Sequence, residues 1–276
     1  MSFSSIPRRI SLQRGHSLTE EQLNGDRLSE AAERFLRPRP SVPTPRDDEL
    51  LGRGRALELA CGLAATSWGS GPTVLLAHGW ESRRTHWGAF IPRLLEAGFR
   101  AVAVDAPAHG DSPGTKANVL QYGKMLVEVG RELGPLAAIV GHSFGAGASV
   151  IALHRGLNAD RAVFISGPSS VVTVIERWGR RDGLLECDIP AFVRIVEREV
   201  GEEVEFMDVT QIVPGLSTRA LIVHDRGDKE IPLDEGLAVA AAWPGATMLV
   251  TERFGHRRIM VAGEVVQAVV EFLRAP

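Results

Sequence analysis

Cysteine is nearly absent from this chain: Cys61 and Cys187 are the only two in 276 residues, and they stand far apart. A secreted scaffold held by disulfides would carry a denser set, so the count excludes that class and points to a reducing, cytoplasmic setting. Long apolar runs are missing as well. Crossing a bilayer takes about 20 consecutive apolar residues, and even the run Thr73–Ala77 is interrupted at once by His78 and Gly79. The stretch Met1–His16 alternates serine, arginine and proline with single apolar residues, without the continuous apolar segment of a secretory signal. Nor does one sign of charge dominate: 31 basic and 34 acidic residues leave a net charge of -3. They are dispersed along the chain, so neither nucleic acid nor a membrane surface is an expected partner.

What is present supports one large core, because 44% of the residues are apolar and a single domain of this length is ordinary. Residues 1–55 stand apart as an arm. They carry ten arginines and eight acidic residues, and Pro38, Pro40, Pro43 and Pro45 make a stiff, extended linker. Within the arm Ser17-Leu18-Thr19-Glu20 has the spacing of a capping box, and Leu28, Ala31, Ala32, Phe35 and Leu36 recur at helical intervals. A short amphipathic helix is expected there, docked on the main domain, meeting a second copy, or lying on the surface.

From residue 56 to 276 short β-branched runs alternate with helical patterns, the signature of strand–helix–strand units and a parallel sheet, hence of the α/β class. Eight strands are predicted: 57–59 and 63–68 as an opening hairpin, then 73–77, 100–105, 137–141, 161–166, 219–224 and 246–251. Tyr122, Leu126, Val129 and Leu133 mark the buried face of one helix, and Val265, Val266, Val269, Val270 and Leu273 that of the last. The interval 167–218 is far longer than the ~10–12 residues that a crossover with its helix requires. Val171–Trp178 and Pro190–Val200 read as helices within it, and a small helical lid over a pocket is expected.

The chemistry centres on Gly141-His142-Ser143-Phe144-Gly145. It follows the apolar run Ala137–Val140 and precedes a small-residue helical segment, the context in which a serine is held on a sharp strand-to-helix turn and glycines are needed beside it. A serine hydroxyl becomes nucleophilic only when a base takes its proton, so a histidine oriented by a carboxylate must reach it. Of the eight histidines, His256 lies just past the last strand in Phe254-Gly255-His256, while His142 reads as a packing residue beside the nucleophile. The loop after strand 219–224 offers three carboxylates, Asp225, Asp228 and Glu230. Asp228 is preferred, since Asp225 is closer to the strand and Glu230 reads as solvated. Charge developing on the attacked carbonyl needs preorganised donors. The N–H groups of Phe144 and Trp80 are the expected pair, the second carried on the His78-Gly79 turn. Arg83 and Arg84 read as an exposed, solvated pair, with attraction of an acidic substrate to the mouth as the alternative, and His109-Gly110-Asp111-Ser112 reads as a structural loop near the serine.

In order along the chain, Thr73–Trp80, Val104–Ser112, the Ser143 turn, Asp228-Lys229-Glu230-Ile231-Pro232 and Gly255-His256 resemble five segments of the α/β-hydrolase family, from about Leu57 to Leu273. The resemblance implies a mostly parallel eight-stranded sheet wrapped by helices, no metal or other cofactor, and a small-molecule acyl substrate. It further implies a Ser143–His256–Asp228 triad working through an acyl-enzyme, with Trp80 and Phe144 as the oxyanion hole. Activity should then rise as His256 loses its proton, because only neutral imidazole acts as base. Relatives that release halide from haloalkanes carry aspartate where Ser143 stands, which disfavours that reaction. Ester hydrolysis leads; thioester or carbon–carbon bond hydrolysis by the same residues, and a receptor-like binding protein, stay open.

Overall fold

The computed structural model describes residues 20–201 and 208–275, with side chains from residue 25 onward. The capping box expected at 17–20 lies outside the described side chains. The chain begins with α1 (Glu20–Leu36) and α2 (Pro45–Gly52), followed by β1 (Arg55–Leu57), β2 (Ala65–Trp68) and β3 (Thr73–Ala77). Next come α3 (Phe90–Glu96), β4 (Arg100–Val104), α4 (Val119–Leu133), β5 (Leu136–His142), α5 (Phe144–His154) and β6 (Ala159–Ile165). An insertion carries α6 (Val171–Arg181), α7 (Ile189–Val200) and the short α8 (Val209–Ile212). The chain closes with β7 (Arg219–Asp225), α9 (Leu233–Ala242), β8 (Thr247–Thr251), α10 (Gly255–Arg258) and α11 (Gly263–Arg274).

The eight strands form one sheet in the order β1-β2-β4-β3-β5-β6-β7-β8. β1 and β2 pair antiparallel, β2 pairs antiparallel with β4, and every later neighbour is parallel. The opening hairpin departs from its expected 57–59 and 63–68: its first strand lies two residues earlier and its second begins two residues later. Residues 59–62 close a turn instead, with Gly62 N–H donating to the Leu59 carbonyl at 2.8 Å, so pairing starts at Arg55↔Ser67.

Side chains alternate across a strand, and both faces of this sheet are covered. Leu75, Ala77, Val102 and Val104 point into the core shared with α4, α5, α8 and α9. Val74, Leu76, Ala101 and Ala103 point into the opposite core, closed by α3 and α11. The predicted stripe Tyr122, Leu126 and Val129 is fully buried, as are Val265 and Val269. α8 and the turn after it join the sheet's own core through Val209, Ile212 and Val213, so only α6 and α7 stand away from it.

The arm is more structured than its proline spacing suggests. Thr44 precedes Pro45 at the first helical position, where the missing N–H costs nothing. The Asp47 carboxylate accepts from the Thr44 N–H at 2.6 Å and from its hydroxyl at 2.7 Å, which starts α2. α1 buries Leu28, Ala31, Ala32 and Leu36 against α6 and α7, making a small separate core. Among the described residues no helix is long and apolar enough to cross a membrane.

Candidate active site

Every residue singled out for chemistry sits just past the carboxyl end of a parallel strand, where an open α/β sheet gathers its loops. Trp80 follows β3, Ser143 follows β5, Asp228 follows β7 and His256 follows β8. Ser143 adopts φ 52° and ψ -114°, a conformation an L-residue holds only under constraint. Its N–H donates to the Ile165 carbonyl at 2.8 Å, and α5 begins at the next residue. Gly145 crosses β3 so closely that a methyl group there would lie 2.1 Å from the Ala77 carbonyl oxygen. These contacts aim the serine side chain outward at a fixed point.

The Ser143 Oγ lies 2.9 Å from His256 Nε2, and His256 Nδ1 lies 2.8 Å from Asp228 Oδ2. A carboxylate only accepts, so Nδ1 carries the ring proton and Nε2 is left to accept from the serine hydroxyl. Asp228 Oδ1 accepts from the N–H groups of Glu230 at 2.8 Å and Ile231 at 2.9 Å. Burial alone would favour the protonated acid. The hydrogen bond and charge of His256, with the two backbone N–H groups, outweigh it and hold the Asp228 carboxyl below its usual range.

Asp225 has a different set of partners. It accepts from Thr251 Oγ1 at 2.7 Å, from the N–H groups of Arg253 and Phe254 at 3.0 and 2.9 Å, and from Gly227 N–H at 2.9 Å. Against its burial, these donors hold it down at about 2, and they fix the loop that delivers His256. Glu230 is partly exposed; its Oε1 accepts from Arg257 at 3.0 Å and its Oε2 stands 3.9 Å from His256 Nε2.

Two histidines, His142 read as a packing residue and His78 read as part of the turn before Trp80, brace the site. His142 Nε2–H donates to the His256 carbonyl at 2.9 Å, and burial together with the nearby His256 ring pushes its pKa down to about 3. It therefore stays neutral, and it positions the backbone of His256. His78 accepts from Ala106 N–H at 2.9 Å through Nε2 and donates through Nδ1 to the Gly79 carbonyl at 2.8 Å. A trans peptide points its C=O and N–H in opposite directions, so this bond turns the Trp80 N–H away from His78. A methyl group on Gly79 would stand 3.3 Å from Ser143 Cβ, so the turn abuts the serine. Phe144 opens α5, where an N–H has no intrahelical acceptor. Sequence periodicity carries no signal for either imidazole clamp, because each forms across strands.

Arg83 and Arg84 correct the reading of an exposed pair. Both are buried: Arg84 binds Asp105 and lies 2.7 Å from Asp111, and Arg83 reaches Asp111 at 3.4 Å. They lock the loops under the site rather than its mouth. Ser112 does the same by donating to the Asp105 carbonyl at 2.7 Å and accepting from Ala64 N–H at 2.9 Å. Among the described residues no cluster of three or more histidine, cysteine and acidic side chains is placed to hold a metal ion.

Ser143, His256 and Trp80 open onto a cavity of about 210 Å³ with a mostly apolar wall. Phe144, Ile151 and Val119 form one side, and Val171, Ile175 and Trp178 of α6 another. Trp80 meets Phe144 edge-on, with ring centroids 5.2 Å apart. Phe35 and Leu36 of the arm also reach this wall, a placement that only the tertiary fold creates.

The fold and this constellation define a class, and the chain belongs to the alpha/beta hydrolase family, whose family model matches residues 74–269. It is 28% identical over 197 residues to an epoxide hydrolase from Caballeronia sordidicola, covering 66% of this chain and 57% of that protein. It is 42% identical over 52 residues to a pimeloyl-acyl-carrier-protein methyl ester esterase from Methylococcus capsulatus, covering 19% and 20%. An esterase from Exiguobacterium antarcticum shares the fold, with a TM-score of 0.61 at 17% identity over 80% of this chain and all 100% of that one. The matched segments span only 15% to 57% of the length of the curated relatives.

Proposed function

We propose that the chain is a serine hydrolase that cleaves a carboxylic ester, or a related acyl bond, bearing an apolar group. The observation that carries this reading is the unbroken chain of hydrogen bonds from Ser143 through His256 to Asp228, at 2.9 and 2.8 Å, on the wall of an apolar cavity. His256 takes the Ser143 proton as Oγ attacks the carbonyl carbon. The N–H groups of Trp80 and Phe144 stabilise the oxyanion. His256, its charge balanced by Asp228, then gives that proton to the departing alcohol. In the second half it takes a proton from water, which attacks the acyl-serine, and returns that proton to Ser143 Oγ as the acid leaves.

The nucleophile decides between acyl bonds and epoxides. A serine oxygen that opened an epoxide would end as an ether, with no carbonyl for water to attack, and the enzyme would stop after one turnover. An acyl-serine is itself an ester, so the same machinery that makes it also breaks it.

The test is intact mass after exposure to a fluorophosphonate. Wild type should gain one adduct and Ser143→Ala none; substrate panels of esters and thioesters then set the bond type. An unlabelled wild type would refute an activated serine and turn attention to a receptor-like pocket.

A further inference from the structure

The helix α1 lies outside the stretch that matches the family, yet it is built into the cavity. Its apolar face, Leu28, Ala31, Ala32 and Leu36, is at most 4% exposed and shares one core with Ile175 of α6 and with Phe192 and Val196 of α7. At its carboxyl end Phe35 meets Trp178 edge-on at 5.4 Å and Phe192 at 6.2 Å, while those two rings stack on each other at 5.6 Å. Phe35 and Trp178 both line the cavity that holds Ser143.

The helix is held along its length. Arg27 pairs with Asp188 and Arg34 with Asp182 on the α6–α7 unit, and Lys116 bridges Glu33 at 3.8 Å and Glu199 at 3.2 Å. Leu36 carbonyl accepts from Ala117 N–H at 2.8 Å, which ties the end of α1 to the loop entering α4, and Val119 and Leu120 of that helix line the same cavity. The Phe35 backbone is thus fixed between the insertion and the main domain. Its ring cannot withdraw without breaking the aromatic cluster behind it.

We infer that α1 is a third helix of the roof over the site, and that Phe35 sets the length of the straight-chain aliphatic group the cavity accepts. The inference rests on reading this cavity as the acyl-substrate site. Replacing Phe35 by alanine leaves a space that Trp178 and Phe192, stacked on each other, fill only in part. Each further methylene seated there raises affinity roughly fourfold, the ordinary gain for burying one such group. Tryptophan at the same position occupies that space and shortens the accepted chain.

The experiment uses the full-length protein as wild type, Phe35→Ala, Phe35→Leu and Phe35→Trp. Saturated fatty acids from four to fourteen carbons are titrated by calorimetry, and p-nitrophenyl esters of the same acids are assayed in parallel. The expected result is that the chain length of tightest binding moves up by about two carbons in Phe35→Ala, less in Phe35→Leu, and down in Phe35→Trp. A ratio between two chain lengths in one sample does not depend on the fraction folded, so a loss of stability does not mimic the shift. The same optimum in all four proteins, or no fatty-acid binding by any of them, overturns the inference. Shifted binding without ester turnover by wild type would sink the esterase reading and leave Phe35 standing; turnover abolished by Ser143→Ala with an unmoved optimum would do the reverse.

Discussion

Changing Asp228 to asparagine tests the assignment of the acid with almost no change in shape. In the native site Oδ1 accepts from the N–H groups of Glu230 and Ile231, and Oδ2 from His256 Nδ1–H. The amide oxygen of asparagine will keep the two backbone donors, which puts its NH2 against His256 Nδ1. The imidazole then moves its proton to Nε2, the nitrogen that faces Ser143, and no lone pair remains there to take the serine proton. Restoring the reactive tautomer means turning the amide over, which leaves two buried N–H groups facing another donor at about 1–3 kcal/mol each. That is about 2–6 kcal/mol, or roughly 30-fold to more than ten-thousandfold in rate. Loss of the negative charge beside the imidazolium adds to it, so kcat should fall at least about a thousandfold. KM should change little, because Asp228 does not line the cavity. The assay is steady-state hydrolysis of the best ester found in the panel, with thermal melting as a control for folding. A fall of less than about tenfold in a well-folded protein would refute Asp228 as the acid.

Asp225 predicts the opposite pattern. Its carboxyl is held at about 2 in the folded protein, against 3.8 ordinarily, so its contribution is present above about pH 4 and is lost as pH falls through 2. The gap corresponds to about 2 kcal/mol. Urea midpoints should therefore separate wild type from Asp225→Ala at pH 7 and converge towards pH 2.5; a constant separation would contradict this. His142→Leu removes the donor to the His256 carbonyl and should lower kcat by up to about tenfold, with His142→Gln, which can donate from nearly the same place, recovering most of it. Equal activity of wild type and His142→Leu would show that this bond does not position the base.

The legible part of the sequence was whatever local order encodes. Near-continuous apolar runs along Thr73–Ala77 and Arg100–Val104 reveal strands buried on both faces, because successive side chains point to opposite sides of a sheet that is covered on each. The serine turn is readable because a strand, a glycine-flanked bend and a helix must follow one another directly in the chain. Asp228 and His256 are readable as loop residues after strands, since chain order and strand ends alone bring them to one edge of the sheet. The bounds of the opening hairpin were misplaced and α2 was not anticipated after the proline linker, because there one turn or one cap decides the outcome and short elements carry too few residues to average over such details.

The sequence alone thus determines the sheet, its crossovers and the edge at which Ser143, Asp228 and His256 converge, because each rests on periodicity or on contacts between neighbours in the chain. Only the tertiary structure decides that Arg83 and Arg84 are buried with Asp105 and Asp111, that His142 braces His256, and that Phe35 of the arm reaches the wall of the cavity. Those contacts join residues up to 157 positions apart, as in Phe35 with Phe192, and no local pattern records a partner that distant.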